Sequence, residues 1–337
     1  MKRPIVQLLV VFILAILSNN INSQGFVWKA GYFGFFDNRE YYNKYVIDQT
    51  LFGSRISGEA GYRFNERHAI MAGIDFLYEF GNKDNINTPD ITAYYRGSNR
   101  LGELWLGAFP RYENIKMPLS LVTDTFQYYR PNVEGMLIRI HKDGFSQNAW
   151  IDWTGRQAEN TRESFIIGLS GYFRNGIFTY AHHFVMSHLA HSLNDTIVEH
   201  IRDNGGYTIM PGIDLSAKTS LDTLVISVGY MGSYDRTRGE YPFRMAHGII
   251  GELHLLYRKV GLSATIYRGE SQVITTGDRF YQSDFYARID PFIRVKTPNI
   301  ESRLQWSFHF LPGMLDLSMS LLIRANIDGV FKGYHFN

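Results

Sequence analysis

The chain has no cysteine among its 337 residues. That excludes a disulfide scaffold, thiolate metal sites, a cysteine nucleophile and the lipidated cysteine of a bacterial lipoprotein. Neither sign of charge is in excess. Of 34 basic residues, Lys2 and Arg3 lie in the N-terminal leader described below, which leaves 32 against 32 acidic residues. A neutral chain has no basic stripe, so nucleic acid is excluded as a partner. Long apolar runs are missing after Leu17. A membrane-spanning helix needs about 20 consecutive apolar residues, and polar residues interrupt every later stretch. There is no GxSxG elbow, no P-loop and no HExxH pair, so no serine-hydrolase, nucleotide or zinc-protease signature is present.

What is present begins with the leader. Met1, Lys2, Arg3 and Pro4 precede an apolar run from Ile5 to Leu17, and Ser18 to Gln24 is polar. A positive start, a short apolar centre and a polar end are the parts of a secretory signal. The expected organisation is a signal peptide over 1–23, cleaved after Ser23, and one domain over 24–337. An exported chain of this size without disulfides points to a bacterial envelope.

From about Ser54 to Ala325, apolar side chains return at every second position in segments of roughly ten residues. Leu315, Leu317, Met319, Leu321 and Ile323 alternate with a more polar set that includes Asp316, Ser318, Ser320 and Arg324. Successive side chains on a strand point to opposite faces, so each segment has one apolar and one polar face. Clear strands are expected over 54–64, 68–80, 121–129, 133–142, 146–154, 163–174, 177–188, 207–218, 223–235, 244–258, 261–270, 284–296, 302–311 and 314–326. Weaker ones are expected over 25–36, 91–96 and 102–110. Turns such as Asp143-Gly144 and Asn175-Gly176 join neighbours as antiparallel hairpins. The longer connections are 37–53, 81–90, 155–162, 189–206, 236–243 and 271–283. If both termini lie on one side, the strand number is even. Dropping 91–96 from the seventeen segments leaves 16, with 14 and 18 as neighbouring counts.

Short turns, longer loops, apolar faces on nearly every segment and 46 Phe and Tyr residues resemble the outer-membrane β-barrel proteins of Gram-negative bacteria, and the porin-like ones in size. The fold expected is an all-β transmembrane antiparallel barrel. The resemblance implies the outer membrane as location, with its lipid and the barrel-insertion machinery as partners. The terminal aromatic of such barrels is displaced by one residue here, since Phe336 is followed by Asn337. A secreted β-sandwich or propeller is the soluble alternative.

If the apolar face meets lipid, the other face builds a charged lumen. Arg258, Arg288, Arg294, Arg303 and Arg324 against Glu252, Asp290 and Asp316 are the expected lumen charges, and their field would select small polar solutes. Tyr128, Arg130, Trp150 and Asp152 form a polar-aromatic set suited to a sugar, because rings cover the apolar faces of a pyranose and charges hold its hydroxyls. Histidines gather at 182, 183, 188, 191 and 200, with Glu199 and Asp203 nearby. They are read as rim and loop residues, with His183 on the outer face, and no metal or cofactor is assigned. A hydrolase needs a nucleophile, a base and an orienting group together. Ser187 and His188 are adjacent and point apart, whereas Ser307, His309 and Asp316 could meet. The leading expectation is porin-like passage of small polar solutes, saccharides among them, by a barrel that is not an enzyme. The alternatives are a plugged barrel acting as a glycan binder or envelope scaffold, with the 189–206 connection folded inward, and an outer-membrane lipid hydrolase.

Overall fold

The computed structural model describes residues 25–83, 89–194 and 198–330. The leader 1–23, Phe336 and part of the 189–206 connection lie outside the described residues. Sixteen strands follow in chain order. The first eight are β1 (Gly25–Glu40), β2 (Gln49–Asn65), β3 (His68–Glu79), β4 (Asp90–Ser98), β5 (Gly102–Pro110), β6 (Asn132–Lys142), β7 (Phe145–Gly155) and β8 (Ser164–Asn175). The second eight are β9 (Phe178–Leu189), β10 (Arg202–Asp214), β11 (Thr223–Thr237), β12 (Tyr241–Tyr257), β13 (Val260–Gly269), β14 (Phe285–Lys296), β15 (Ile300–Leu311) and β16 (Met314–Val330). Each pairs antiparallel with its chain neighbours, and β1 pairs with β16 to close the barrel. Closure leaves no edge strand with unpaired backbone groups.

The count of 16 agrees with the sequence reading, but two segments change places. Residues 91–96 form β4 and pair on both sides. Residues 121–129 are not a strand. They belong to a connection over 111–131 that carries two single-turn helices, α1 (Arg111–Asn114) and α2 (Phe126–Tyr129). Pro110, Pro118 and Pro131 bracket this segment, and a proline cannot donate to a β ladder.

The two faces separate as the alternation requires. Ile249, Ile266 and Leu315 are exposed on the outside, as a lipid-facing wall demands. Their neighbours point inward, and Asp37, Arg39, Arg55, Asp290, His309 and Asp316 are all buried there. Tight turns gather at one end of the barrel, where Gly144 and Gly176 take the left-handed conformation. The longer connections gather at the other, the loop end.

The lumen is filled. The 111–131 connection enters between β5 and β6, and the 270–284 connection enters between β13 and β14. These sites lie eight strands apart around a ring of 16, on opposite walls. The two segments meet across the bore. Thr123 N donates to Thr276 O at 2.8 Å, Asp278 N to Leu119 O at 2.9 Å, and Thr276 Oγ1 to Leu121 O at 2.7 Å. Leu121, Ile274 and Phe280 of the plug belong to one buried apolar cluster that also takes in inward-facing wall residues such as Val185, Met231 and Tyr286. The inward-folding element is therefore this pair of connections rather than 189–206, whose C-terminal part forms the start of β10.

A filled bore has an electrical consequence. Planar-bilayer recordings of the mature chain are expected to show no long-lived open steps. Replacing 111–131 and 270–284 by short Gly-Ser linkers should produce such steps. Large, stable steps from the unaltered chain would overturn an obstructed lumen.

Candidate functional site

The plug is held by charge. Arg111 of α1 forms an ion pair with Asp152 of β7, which is fully enclosed and also accepts from Glu134 N at 2.9 Å. Arg39 of β1 bonds Asp37 at 2.6 Å and Asp124 of the plug at 2.9 Å. Tyr128 of α2 donates to Asp37 at 3.1 Å and stacks on Phe35 at 4.7 Å. Arg55 of β2 pairs with Asp75, with Asp90 at 2.9 Å, and donates to Tyr128 O at 2.7 Å. Buried charges persist only when paired and hydrogen-bonded, and these pairs tie the wall to the plug. Asp37 and Arg39 escape the sequence reading because β1 continues past Phe35 with charges in the inward positions, whereas Arg55 lies within the expected strand 54–64 and stands out from its neighbours by no signal of its own.

The expected lumen charges fall as follows. Arg288 bonds Asp290 at 2.7 Å and Ser307 Oγ at 3.1 Å. Arg294 bonds Glu301 at 2.8 Å. Glu252 lies 3.7 Å from His254 on the same strand. Asp316 accepts from Tyr42 N at 2.9 Å and Asn43 Nδ2 at 2.5 Å. Arg303 has no carboxylate partner among the described residues and lies over the Phe292 ring at 3.7 Å. Arg324 is sandwiched between Phe33 and Tyr112, at 3.6 and 3.5 Å from their ring centres. Arg258 is not a lumen charge. It forms the β12–β13 turn with φ of 56° and lies exposed at the turn end, because a two-residue hairpin needs a left-handed position.

The sugar set does not form a cleft. Asp152 is consumed by Arg111, Tyr128 is buried against Phe35, and the backbone carbonyl of Arg130 serves as an acceptor for Arg111 Nε at 2.9 Å. Trp150 is buried, with its indole against Gly168. The trio of Ser307, His309 and Asp316 is not assembled either. His309 and Asp316 sit opposite in register, but His309 Nδ1 lies 2.8 Å from the Tyr286 hydroxyl and Nε2 lies 3.2 Å from Ser318 Oγ. Phe280 stacks on the imidazole at 4.4 Å and seals it.

A different pair of groups meets on the outer face at the loop end. Ser187 pairs with Asn204, which bonds the plug at Val273 O (2.7 Å) and Thr275 N (2.7 Å), so this register faces inward. The next register, His188 with Asp203, faces out. His188 Nδ1 donates to Asp203 Oδ1 at 2.7 Å, and Arg238 Nε donates to Asp203 Oδ2 at 3.0 Å. His188 Nε2 has no hydrogen bond among the described residues. Phe165 stacks on the imidazole at 4.8 Å, and Trp153 stacks on Phe165 at 5.3 Å. All lie within a few residues of the loop ends of β7 to β11, where aromatic girdles of membrane barrels sit. Arg236 shares the Asp203 register and lies over Phe243 at 4.9 Å. Arg162 bonds Ala190 O at 2.7 Å and also His200 O, which orders the connection above.

A carboxylate on one imidazole nitrogen fixes the tautomer that leaves the other as a base. In the sequence His188 groups with Asp203, but Asp203 falls in a loop, since Gly205-Gly206 reads as a break. Gly205 is instead a strand position that leaves room for the Tyr234 ring: an added Cβ would come 2.7 Å from its hydroxyl. The inner and outer histidines are also reversed. His183 faces the lumen and meets Thr208 at 3.1 Å, whereas His182 and His188 face out. Among the described residues no group of three or more metal-ligating side chains converges.

The sequence pattern of the lipid A 3′-O-deacylase-type family matches residues 22–326. The chain belongs to that family. It is an enzyme family, which corrects the expectation of a barrel without catalytic activity. No curated protein matches the chain. Solved structures give the fold. OmpT of Vibrio cholerae is 9% identical with a TM-score of 0.56, covering 92% of this chain and 99% of its own. An anion-selective porin from Comamonas acidovorans is 10% identical with a TM-score of 0.52, covering 90% and 99%. OccK3 of Pseudomonas aeruginosa is 12% identical with a TM-score of 0.51, covering 94% and 98%. The fold is that of outer-membrane β-barrels.

Two predictions concern the plug anchors. Arg111→Ala leaves Asp152 enclosed without its cation and is expected to cost about 3–5 kcal/mol. Arg111→Met with Asp152→Leu should recover most of that loss in thermal unfolding. The second concerns Asp278, where burial raises the carboxyl from 3.8 to about 6. The folded chain thus favours the neutral acid. Its contribution is complete below about pH 4 and is lost as pH rises through 6. The Tm should fall across that window, and Asp278→Asn should flatten the fall.

Proposed function

We propose that this barrel hydrolyses an acyl ester of a phosphorylated glycolipid in the outer leaflet, with His188 as general base held by Asp203. The observation that carries the reading is the outward-facing pair at 2.7 Å, set in an aromatic patch at the loop end. A lipid reaches this face by lateral diffusion and never needs to enter the bore. Membership of a deacylase-type family supports the reaction class.

The chemistry is hydrolytic. His188 Nε2 takes a proton from water as its oxygen attacks the ester carbonyl. The tetrahedral oxyanion collapses, the bond to the sugar oxygen breaks, and that oxygen takes the proton back from the imidazolium. The products are a sugar hydroxyl and a fatty acid, which ionises in neutral solution. Asp203 orients the ring and stabilises its charged form. Arg236 and Arg238 supply positive charge for the phosphates of the headgroup. Passage of polar solutes, the reading the charged wall suggests, has against it two segments bonded across the lumen.

Purified barrel in vesicles containing lipid A is expected to release fatty acid, followed by mass spectrometry. His188→Ala should lower the rate by about a hundredfold or more, and Asp203→Asn by less. His182→Ala, on the same face but beside Ile209, should leave the rate unchanged. Turnover by His188→Ala at the unaltered rate would refute the assignment.

A further inference from the structure

The plug leaves a cavity of about 620 Å³ between itself and the wall formed by β1, β2 and β16. That is the size of a ligand pocket. Its lining continues to Asn326 and Asp328, at the turn end of β16. The lining is mixed: Met117, Leu119, Val122 and Phe126 give the plug side an apolar stretch, beside the charged Glu113, Lys116 and Asp124.

Arg324 stands in this cavity with no ion pair among the described residues. Glu301, its register partner, bonds Arg294 instead at 2.8 Å. The other guanidinium groups lining the cavity have acids: Arg55 has Asp75 and Asp90, and Arg111 has Asp152. Phe33 covers one face of the Arg324 guanidinium and Tyr112 the other. Gln127 Oε1 accepts from Nη2 at 2.9 Å. Tyr112 also hydrogen-bonds the guanidinium, so the partners around it are an amide, a phenol and a ring, and none of them is an anion. An edge of parallel N–H groups matches a planar carboxylate. A cation withdrawn from water and left unpaired is costly, and a bound anion removes that cost.

We infer that the cavity is a binding site for a long-chain carboxylate, its head on the edge of Arg324 and its tail against Met117 and Phe126. This site is separate from the His188 face and stands on its own observations, whether or not the barrel hydrolyses esters.

The test is native mass spectrometry of the full mature chain in a glycoside detergent, with tetradecanoate as the probe. One equivalent should bind saturably. Tetradecanol, with the same tail and no charge, should bind at least tenfold more weakly. Arg324→Gln should weaken tetradecanoate at least tenfold, and Met117→Trp, which fills the cavity from the plug side, should block it. His188→Ala should bind as the unaltered chain does, so loss of hydrolysis and loss of binding are read separately. Should Arg324→Gln fail to fold, the alcohol comparison and Met117→Trp carry the test. Equal binding of alcohol and carboxylate, unchanged binding by folded Arg324→Gln, or binding of tetradecyl phosphate with none of tetradecanoate would each overturn the proposal.

Discussion

Backbone hydrogen bonding in hydrocarbon is the constraint from which the rest of this structure follows. An N–H or C=O facing lipid without a partner costs several kcal/mol, so a strand can cross only as part of a closed ring. The β1–β16 seam meets that demand, running from Val27 opposite Val330 to Glu40 opposite Leu317. Closure forces the polar half of every strand inward. The charges that would be solvated on an open sheet, Asp37, Arg39, Arg55 and Asp290 among them, are collected in one enclosed space.

That space cannot be filled by wall side chains alone in a ring of this size. The two connections that enter from opposite walls do two jobs there. They supply acids and carbonyls to the wall guanidinium groups, as Asp124 does for Arg39 and Tyr128 O for Arg55. They also bring apolar residues against the wall, so Leu121 and Phe280 share a buried cluster with Val185 and Met231. The base proposed for the chemistry accordingly stands on the outer face and not in the lumen. His309 is sealed by Phe280, while one nitrogen of His188 has no hydrogen bond among the described residues.

The wall was legible in the sequence because lipid enforces a strict period of two. Leu304, Trp306, Phe308 and Phe310 announce β15 without ambiguity. The plug was not, since an apolar run such as Leu121-Val122 reads the same on a buried strand and in a packed connection. Its prolines were the available signal. The ends of strands were also hidden: beyond Phe35, β1 continues with Asp37 and Arg39, and the apolar alternation that marks a strand has stopped. The face of His188 was misread because parity alone does not say which face is the lumen. The register with Asn204, anchored to the plug, decides it. The absence of a catalytic motif misled most, since the His–Asp pair proposed as the site is built across two strands and leaves no fixed spacing in the chain.

Asp203 and Asn204 are neighbours, one outside the barrel and one inside. Asn204 rests on the 270–284 segment through Val273 and Thr275. The wall behind the imidazole–carboxylate pair is thus backed by the plug. β9 and β10 also lie midway around the ring between the two points where the plug is rooted. A cylinder tied across one diameter deforms most on the diameter at right angles to it, and that is where this pair stands. The inner segment therefore acts as a buttress that sets the local curvature of the wall, and with it the spacing between strands on which the His188–Asp203 contact depends.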